Sequence, residues 1–300
     1  MRGNYLEMFH FISELTQQNI EDFIFARTTN IVAAYILIYV AISYFGFKKR
    51  EVFSDEAVRN TLASVCMLGA NVLLLPIILI VSNFLQKSYD SLGIAHVPVD
   101  FWSGFPVIAV ALIGFAAKDF VDYWNHRLMH TKWVWPIHAV HHSDTHVNGF
   151  TAFRVHLFEL VYMKLSYVLA LSWLGFPPEQ IAVIYLFESL HVAYVHIEHD
   201  IDHGSLNWLL ASPRFHRWHH ADNPVIFGKN LANHIPLYDM MFGTYHNPGT
   251  CHEPMGALSD AIPDKNVFKL FALPFVLWRK RLAKNFTPSI RRMAQRISML

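Results

Sequence analysis

Three long stretches of the chain carry no charged side chain, and they constrain its fold more than any other feature. The uncharged runs are residues 31–47, 60–86 and 101–117. Because an α-helix rises about 1.5 Å per residue, each run would form a helix close to the roughly 30 Å thickness of a bilayer's hydrocarbon layer. Charged residues make up only 16% of the chain, well below the usual soluble domain. The sequence therefore predicts an all-α, multi-span helical membrane protein.

The flanks of these runs predict which way the chain faces. Lys48, Lys49 and Arg50 directly follow the first run, and by the positive-inside rule they place that end in the cytoplasm. A further apolar block, residues 157–195, is broken by two prolines and forms either a re-entrant hairpin or two spans. Both alternatives return the chain to the same face. We therefore expect an integral, multi-pass protein of a bacterial inner membrane or the endoplasmic reticulum.

Charge balance and cysteine count exclude several protein classes. With a formal net charge of +1, the chain lacks the basic surface that a nucleic-acid partner needs. Its two cysteines cannot build a disulfide framework. The glycine fingerprint of a dinucleotide fold is absent from the sequence, so we expect no nicotinamide or flavin site within it.

Histidines are concentrated in one part of the chain, since 14 of the 19 lie between residues 126 and 220. Three motifs stand out: one HxxxH and two HxxHH. On a helix, residues three or four apart share a face, so the rings of each motif converge. Buried imidazoles without partners are costly, whereas imidazole is a common metal ligand. The eight motif residues are His126, His130, His138, His141, His142, His216, His219 and His220.

Eight imidazoles exceed the four ligands that one zinc ion takes, so the motifs predict two metal ions in a helical cap at the cytoplasmic face. Imidazole suits iron, copper and zinc alike, and ligand type alone does not choose among them. A chain that stores or transports metal with intramembrane histidines stays an alternative, although it would place its ligands at mid-membrane depth.

Four stretches resemble those of one enzyme superfamily. They are residues 119–130 (DFVDYWNHRLMH), 138–143 (HAVHHS), 213–220 (PRFHRWHH) and 239–245 (DMMFGTY). Their order and spacing resemble the fatty acid hydroxylase/sterol desaturase superfamily, and the resemblance covers about residues 101–245. Members are integral-membrane, histidine-rich di-iron enzymes that hydroxylate or desaturate lipids with O2. The resemblance implies two iron ions as cofactors and O2 as co-substrate.

The resemblance also implies roles for individual residues. It makes metal ligands of the eight motif histidines and adds His196 as a ninth. Arg154, His156 and Glu159 are similar to an Arg-x-His-x-x-Glu element of the family and would support the ligands. Asp239 opens the last family motif and would do the same. Asp122 lies one turn before His126 and either accepts a hydrogen bond from its ring or is an interfacial carboxylate.

The implied function is that of a membrane-bound oxygenase that hydroxylates an unactivated C–H bond of a lipid. Two electrons would come from a separate donor, either a cytochrome b5-like protein or a ferredoxin and its reductase. Desaturation by the same metal centre stays an alternative, since the motifs serve both outcomes. Fatty acyl, sphingoid, ether and sterol lipids all stay open as substrates.

The order of these features predicts three regions. Residues 1–100 hold an interfacial N-terminal helix and the first membrane helices, and residues 101–248 hold the catalytic domain. Residues 249–300 form a basic amphipathic tail, either lying on an anionic cytoplasmic leaflet or forming a solvated terminal helix.

Overall fold

The computed structural model describes residues 28–45, 55–257 and 267–297, and its regular structure in these ranges is helical apart from one isolated β-bridge, Ala221 to Met255. The all-α prediction is confirmed for this part of the chain, whereas most of the predicted N-terminal interfacial helix lies outside it. Three short 3-10 helices occupy Val99–Gly104, Gly149–Phe153 and Gly204–Leu206. The α-helices are α1 (Thr28–Phe45), α2 (Asp55–Leu92), α3 (Val107–Met129), α4 (Trp135–His142), α5 (Leu157–Trp173), α6 (Pro178–Val195), α7 (Pro213–His220), α8 (Leu237–Phe242) and α9 (Val267–Ile297).

The predicted membrane spans are not matched by these helices. In the described ranges, no helix combines the length and the apolar character that a crossing requires. The helices also differ in their bounds from the uncharged runs. The run 101–117, for example, does not coincide with a helix, since α3 begins at Val107 and continues past the run through Lys118 and Asp119.

The largest apolar core joins the long helices α2, α3, α5 and α6. Its buried members include Val110 of α3, Leu171 of α5 and Ile181 of α6, and α2 packs against them through Val81 and Leu85. Helices α3 and α6 approach closely at Gly114, where a Cβ atom would lie 2.7 Å from Ile184 Cδ1. This four-helix core holds α3, which carries the first histidine motif.

A second core positions the short helix α4. All eight residues of α4 are buried. One face of α4 presents Ala139 and Val140 to Leu270, Leu273 and Leu277 of α9. The three histidines of α4 are not part of this apolar contact. The C-terminal helix therefore packs on a side of α4 that carries no candidate metal ligand.

Helix α7 is also short, and local capping defines where it begins. Ser212 is its N-cap and accepts a hydrogen bond from Phe215 N at 3.2 Å, while Pro213 occupies the first turn. Pro213 is favourable there because proline lacks only an N–H group that has no partner within the helix.

The turn between α5 and α6 depends on Gly175. Its φ is +70°, and its N–H and that of Phe176 donate to the Ser172 and Leu171 carbonyls, which is the Schellman termination of a helix. A Cβ atom at Gly175 would lie 2.3 Å from Val97 O. Glycine is therefore required both by the backbone conformation and by this close approach.

We predict that Gly175→Ala lowers the free energy of unfolding by about 1–3 kcal/mol, because alanine disfavours positive φ and its methyl group would displace the Val97 backbone. Thermal unfolding followed by circular dichroism measures this loss. Gly104→Ala is the control, since a Cβ atom there meets nothing within 4 Å. Equal unfolding midpoints for the two variants would contradict the prediction.

Candidate metal centre

The structure brings the nine predicted histidine ligands together in two adjacent groups. Within each group, one ring nitrogen from every histidine lies within 4.8 Å of the others. The two groups are next to each other, since the His142 and His220 rings stack at 4.6 Å across the boundary. The five-histidine group is His126, His130, His138, His142 and His219, and the four-histidine group is His141, His196, His216 and His220.

Each HxxHH motif divides its histidines between the two groups. In α4, His138 and His142 belong to the five-histidine group, while His141 belongs to the four-histidine group. In α7 the division is reversed, with His216 and His220 in the four-histidine group. Residues four apart point the same way on a helix, whereas adjacent residues differ by about 100°. A helix between two metal sites can therefore supply both.

The nitrogen spacing of the four-histidine group suits a single ion. His196 Nε2 lies 2.9 Å from His216 Nε2, 3.2 Å from His220 Nε2 and 3.3 Å from His141 Nε2. Imidazole nitrogens bound about 2.1 Å from one ion are roughly 3.0–3.4 Å apart at neighbouring coordination positions. The group therefore has the dimensions of a metal-binding cage.

Hydrogen bonds at Nδ1 show why these nitrogens need a cation between them. His126 Nδ1 donates to Leu231 O at 2.7 Å, and His138 Nδ1 donates to Glu159 Oε1 at 2.8 Å. Both neutral rings thus carry their proton on Nδ1 and a lone pair on Nε2. The two Nε2 atoms are only 2.9 Å apart. Two facing lone pairs repel, and a metal ion between them turns that repulsion into ligation.

The same arrangement recurs elsewhere in both groups. His219 Nδ1 donates to Lys229 O at 2.8 Å, and its Nε2 lies 3.0 Å from His142 Nε2. His196 Nδ1 donates to Val192 O at 2.6 Å. Both ring nitrogens of His130 are inaccessible to solvent and have no hydrogen-bond partner among the described residues. These unpaired buried nitrogens fit metal ligands better than structural histidines.

Burial keeps the rings uncharged at neutral pH. Loss of solvation lowers the pKa of His126 and of His196 to about 4 each. For the other seven histidines, burial lowers the pKa well below its usual value, and neighbouring imidazoles lower it further. The rings therefore offer lone pairs to a metal without first losing a proton.

The segment 229–232 supplies two of the carbonyls that orient the ligands, and Asn230 lies between them. Asn230 is fully buried with φ +55°, a left-handed conformation that asparagine tolerates better than most residues. Its side chain donates to Phe215 O and His246 O and accepts from His246 N. The left-handed residue allows two nearby carbonyls to serve histidines on different helices. No role was predicted for Asn230 from the sequence, although residues 229–232 resemble a family stretch that precedes the Phe-Gly-Thr motif.

Two buried carboxylates hold the same segment in place. Asp239 accepts from Leu231 N at 2.7 Å and from Ala232 N at 2.8 Å. Asp119 accepts from the backbone N–H groups of residues 234 and 235. Asp239 thus bonds the backbone whose carbonyl His126 contacts, and its predicted support of the ligands would act through this backbone. Asp119 opens the first family-like stretch, but its bonds to this backbone segment were not predicted from the sequence.

The other predicted supporting residues differ in their contacts. Glu159 bonds directly to His138, as described above. Arg154 is buried and donates from Nε to Ser143 Oγ at 3.0 Å. Ser143 directly follows the candidate ligands His141 and His142. His156 instead caps α5 by accepting from Phe158 N, and its Nε2 donates to Phe271 O. It therefore links α5 to α9, and these two bonds do not reach a candidate ligand histidine.

Asp122 does not accept a hydrogen bond from His126, so that interpretation is wrong. The Leu231 carbonyl takes this bond, because the loop lies closer to the ring than the side chain one turn earlier. Asp122 is 1% exposed and pairs with Lys118 instead. The alternative, an interfacial carboxylate, is also wrong, since the residue is buried.

A cavity of about 130 Å³ lies beside both histidine groups. Five predicted ligands line it, from both groups, so a molecule inside it would meet both candidate metal positions at once. Much of the remaining wall is apolar. The lining ligands are His126, His138, His141, His196 and His216, and the apolar residues are Met129, Ala152, Phe153, Val155, Leu160, Met163 and Val192.

Comparison with known proteins agrees with this geometry. Residues 111–244 match the fatty acid hydroxylase family model. The alkylglycerol monooxygenase of Xenopus tropicalis is 34% identical over 135 residues, covering 44% of this chain and 29% of that protein. The ornithine lipid hydroxylase of Rhizobium tropici is 27% identical over 154 residues, covering 49% and 45%. A very-long-chain aldehyde decarbonylase of Oryza sativa is 26% identical over 170 residues, covering 54% and 62%.

The chain therefore spans less than two thirds of the length of these relatives. No solved structure matches it significantly. The family match covers the segment that carries α3 to α8 and all nine converging histidines. Over residues 111–244 the chain is therefore similar to the fatty acid hydroxylase family.

Proposed function

We propose that this protein is a di-iron oxygenase that hydroxylates a C–H bond of a lipid with O2 and two external electrons. The observation that carries the proposal is the pair of histidine groups with facing Nε2 atoms beside one shared cavity. The nine histidines His126, His130, His138, His141, His142, His196, His216, His219 and His220 would hold the two ions. Iron is favoured over zinc and copper by the similarity of residues 111–244 to the fatty acid hydroxylase family.

The residues of this chain supply binding, orientation and exclusion of water. When bound, the iron ions supply the O2 chemistry that no side chain can perform on an unactivated C–H bond. Hydrogen bonds at Nδ1 of His126, His138, His196 and His219 keep the Nε2 atoms of these four rings unprotonated and available to an ion. The cavity walls exclude bulk water from the reacting carbon and position it near both ions.

A lipid substrate is supported by the lining of the cavity and by the relatives. Apolar side chains such as Leu160 and Val192 suit an alkyl chain. Two of the relatives described above carry names that refer to lipid oxygenation, of alkylglycerols and of ornithine lipids. Hydroxylation is favoured by these names, and desaturation stays an outcome that product analysis would reveal. We propose that the electrons come from a separate donor protein.

Association with a membrane is supported by exposed apolar side chains. Ile108 and Leu112 at the start of α3 are 75% and 63% exposed, and Val183 and Phe187 of α6 are 63% and 57% exposed. Clustered apolar surface of this kind marks an interaction site. Flotation with liposomes tests the proposal: we expect the purified chain to float with the vesicles, and recovery only in the unfloated fraction would contradict it.

We predict that His219→Ala abolishes lipid-dependent O2 uptake and lowers bound iron from two ions per chain towards one. The variant removes one ligand of the five-histidine group and leaves the four-histidine group intact. Elemental analysis and an oxygen electrode, with a chemical reductant as electron source, measure both effects. His252→Ala is the matched control, because His252 is exposed and lies outside both groups.

Two outcomes would contradict the proposed function. If the wild-type protein, loaded with iron and reduced, consumes no O2 with any lipid extract, the oxygenase assignment is wrong. If His219→Ala retains two iron ions and full turnover, His219 is not a ligand.

We predict that Glu159→Ala weakens metal affinity about 10- to 100-fold, because His138 loses the carboxylate that holds its tautomer. Glu159→Gln keeps an oxygen acceptor at the same place, so a smaller loss is expected. Competition with a chelator measures the affinity, and the visible spectrum of the Co²⁺-substituted protein reports the ligand geometry. Glu253→Ala serves as control, since Glu253 does not line the cavity. Equal affinities for all three variants would remove Glu159 from this role.

A further inference from the structure

One end of the cavity is lined by charged side chains that take no part in the histidine groups. Lys118 and Asp122 come from α3, Lys164 from α5 and Glu188 from α6, and all four line the cavity. Lys118, Asp122 and Glu188 are 5%, 1% and 2% exposed, and the Lys118 ammonium pairs with both carboxylates. Buried charges are expensive, so a cluster beside the candidate active site calls for a function.

Several polar groups of this cluster have unused hydrogen-bonding capacity. The Lys164 ammonium lies 3.7 Å from the centroid of the Tyr185 ring and 5.6 Å from that of Tyr167. Its contacts in the described part of the chain include no ion pair. Asp122 Oδ1 and the Glu188 carboxylate oxygens are buried and have no hydrogen-bond partner there, although Glu188 Oε2 forms the ion pair with Lys118. The wall thus offers the Lys164 ammonium as a donor and Asp122 Oδ1 as an acceptor to a molecule in the cavity.

The formal charges of these four residues sum to zero, since they are two lysines and two carboxylates, and Glu159, the other carboxylate of the cavity wall, is bonded to His138. An anionic or cationic ligand would add an uncompensated charge to a buried site, which is costly. A hydroxyl group is neutral, and it both donates and accepts hydrogen bonds. It can therefore donate to Asp122 Oδ1 while it accepts from the Lys164 ammonium.

We propose that this cluster is a binding subsite for an uncharged, hydroxyl-bearing head of the lipid substrate. The proposal rests on the proposed function and names the class of lipid that it acts on. Asp122 lies one helical turn, about 6 Å of axial rise, before the predicted ligand His126. The cavity has a volume of only about 130 Å³. The reacting carbon is therefore a few bonds from the hydroxyl group and not at the far end of the chain.

Binding of simple probes to the full chain tests the subsite without any turnover. The probes are n-decanol, decyl methyl ether, decanoate and decylammonium, titrated into Co²⁺-loaded protein by calorimetry. We expect n-decanol to bind about tenfold more tightly than the ether, which cannot donate to Asp122, and more tightly than either charged probe.

Two variants on different helices reverse the charge preference in opposite directions. Asp122→Asn gives the wall a net positive charge, so decanoate should gain affinity relative to n-decanol by about tenfold. Lys164→Met gives a net negative charge, so decylammonium should gain instead. Asp90→Asn and Lys87→Met are matched controls on α2, where both residues are exposed, and they should leave the order of affinities unchanged.

The paramagnetic Co²⁺ ion also locates the reacting part of the probe. Proton relaxation of bound n-decanol should be fastest on the carbons nearest the hydroxyl group and slowest at the terminal methyl. Fastest relaxation at the methyl would overturn the position of the subsite. Equal binding of all four probes, with no change of preference in either variant, would overturn the subsite itself.

These results are separable from those that test the proposed function. Selective n-decanol binding in a protein that never consumes O2 would contradict the oxygenase assignment alone. O2-dependent lipid hydroxylation together with unselective probe binding would contradict the subsite alone.

Discussion

The repulsion between facing Nε2 lone pairs is the constraint on which the rest of the structure depends. Rings such as those of His126 and His138 are held by bonds at Nδ1, so their other nitrogens meet without a proton between them. Burial keeps the pKa of these rings low, and protonation at neutral pH cannot relieve the contact. A bound cation would make the arrangement favourable. We therefore expect metal binding and folding to be coupled in this protein.

Elements far apart in sequence share the task of holding these rings. The long helices form an apolar core that fixes α3, and α9 packs on the outer face of α4. The loop around Asn230 adds backbone carbonyls that bind His126 and His219, and Asp239 and Asp119 hold that loop by its N–H groups. The position of a candidate ligand ring thus depends on the carbonyl that it contacts and, through that carbonyl, on the carboxylates that hold the loop.

The cavity combines two kinds of environment in one small space. Histidines of both groups form one part of its wall, and another part is formed by the four charged residues of the cluster, of which Lys118, Asp122 and Glu188 are buried. An alkyl chain suits the apolar residues between them. If a hydroxyl group binds at the charged end, the short distance from there to the histidine groups determines both which lipid binds and which of its carbons reacts.

The sequence by itself determined the histidine motifs and the helical class, because helix periodicity places residues three and four apart on one face, and its motifs carried the resemblance to the fatty acid hydroxylase family. His138, His141 and His142 were identifiable from spacing alone. The tertiary structure decided which of the two histidine groups each of them joins, since α4 lies between the groups and divides its motif between them. Backbone carbonyls such as Leu231 O leave no mark in the sequence, so spacing offered Asp122 as an acceptor for His126, with an interfacial carboxylate as the alternative. The uncharged runs predicted membrane spans, but helix boundaries depend on packing and capping across the whole chain. The joining of Lys118, Asp122, Lys164 and Glu188 at one cavity was equally hidden, because three helices bring these residues together and no local pattern connects them.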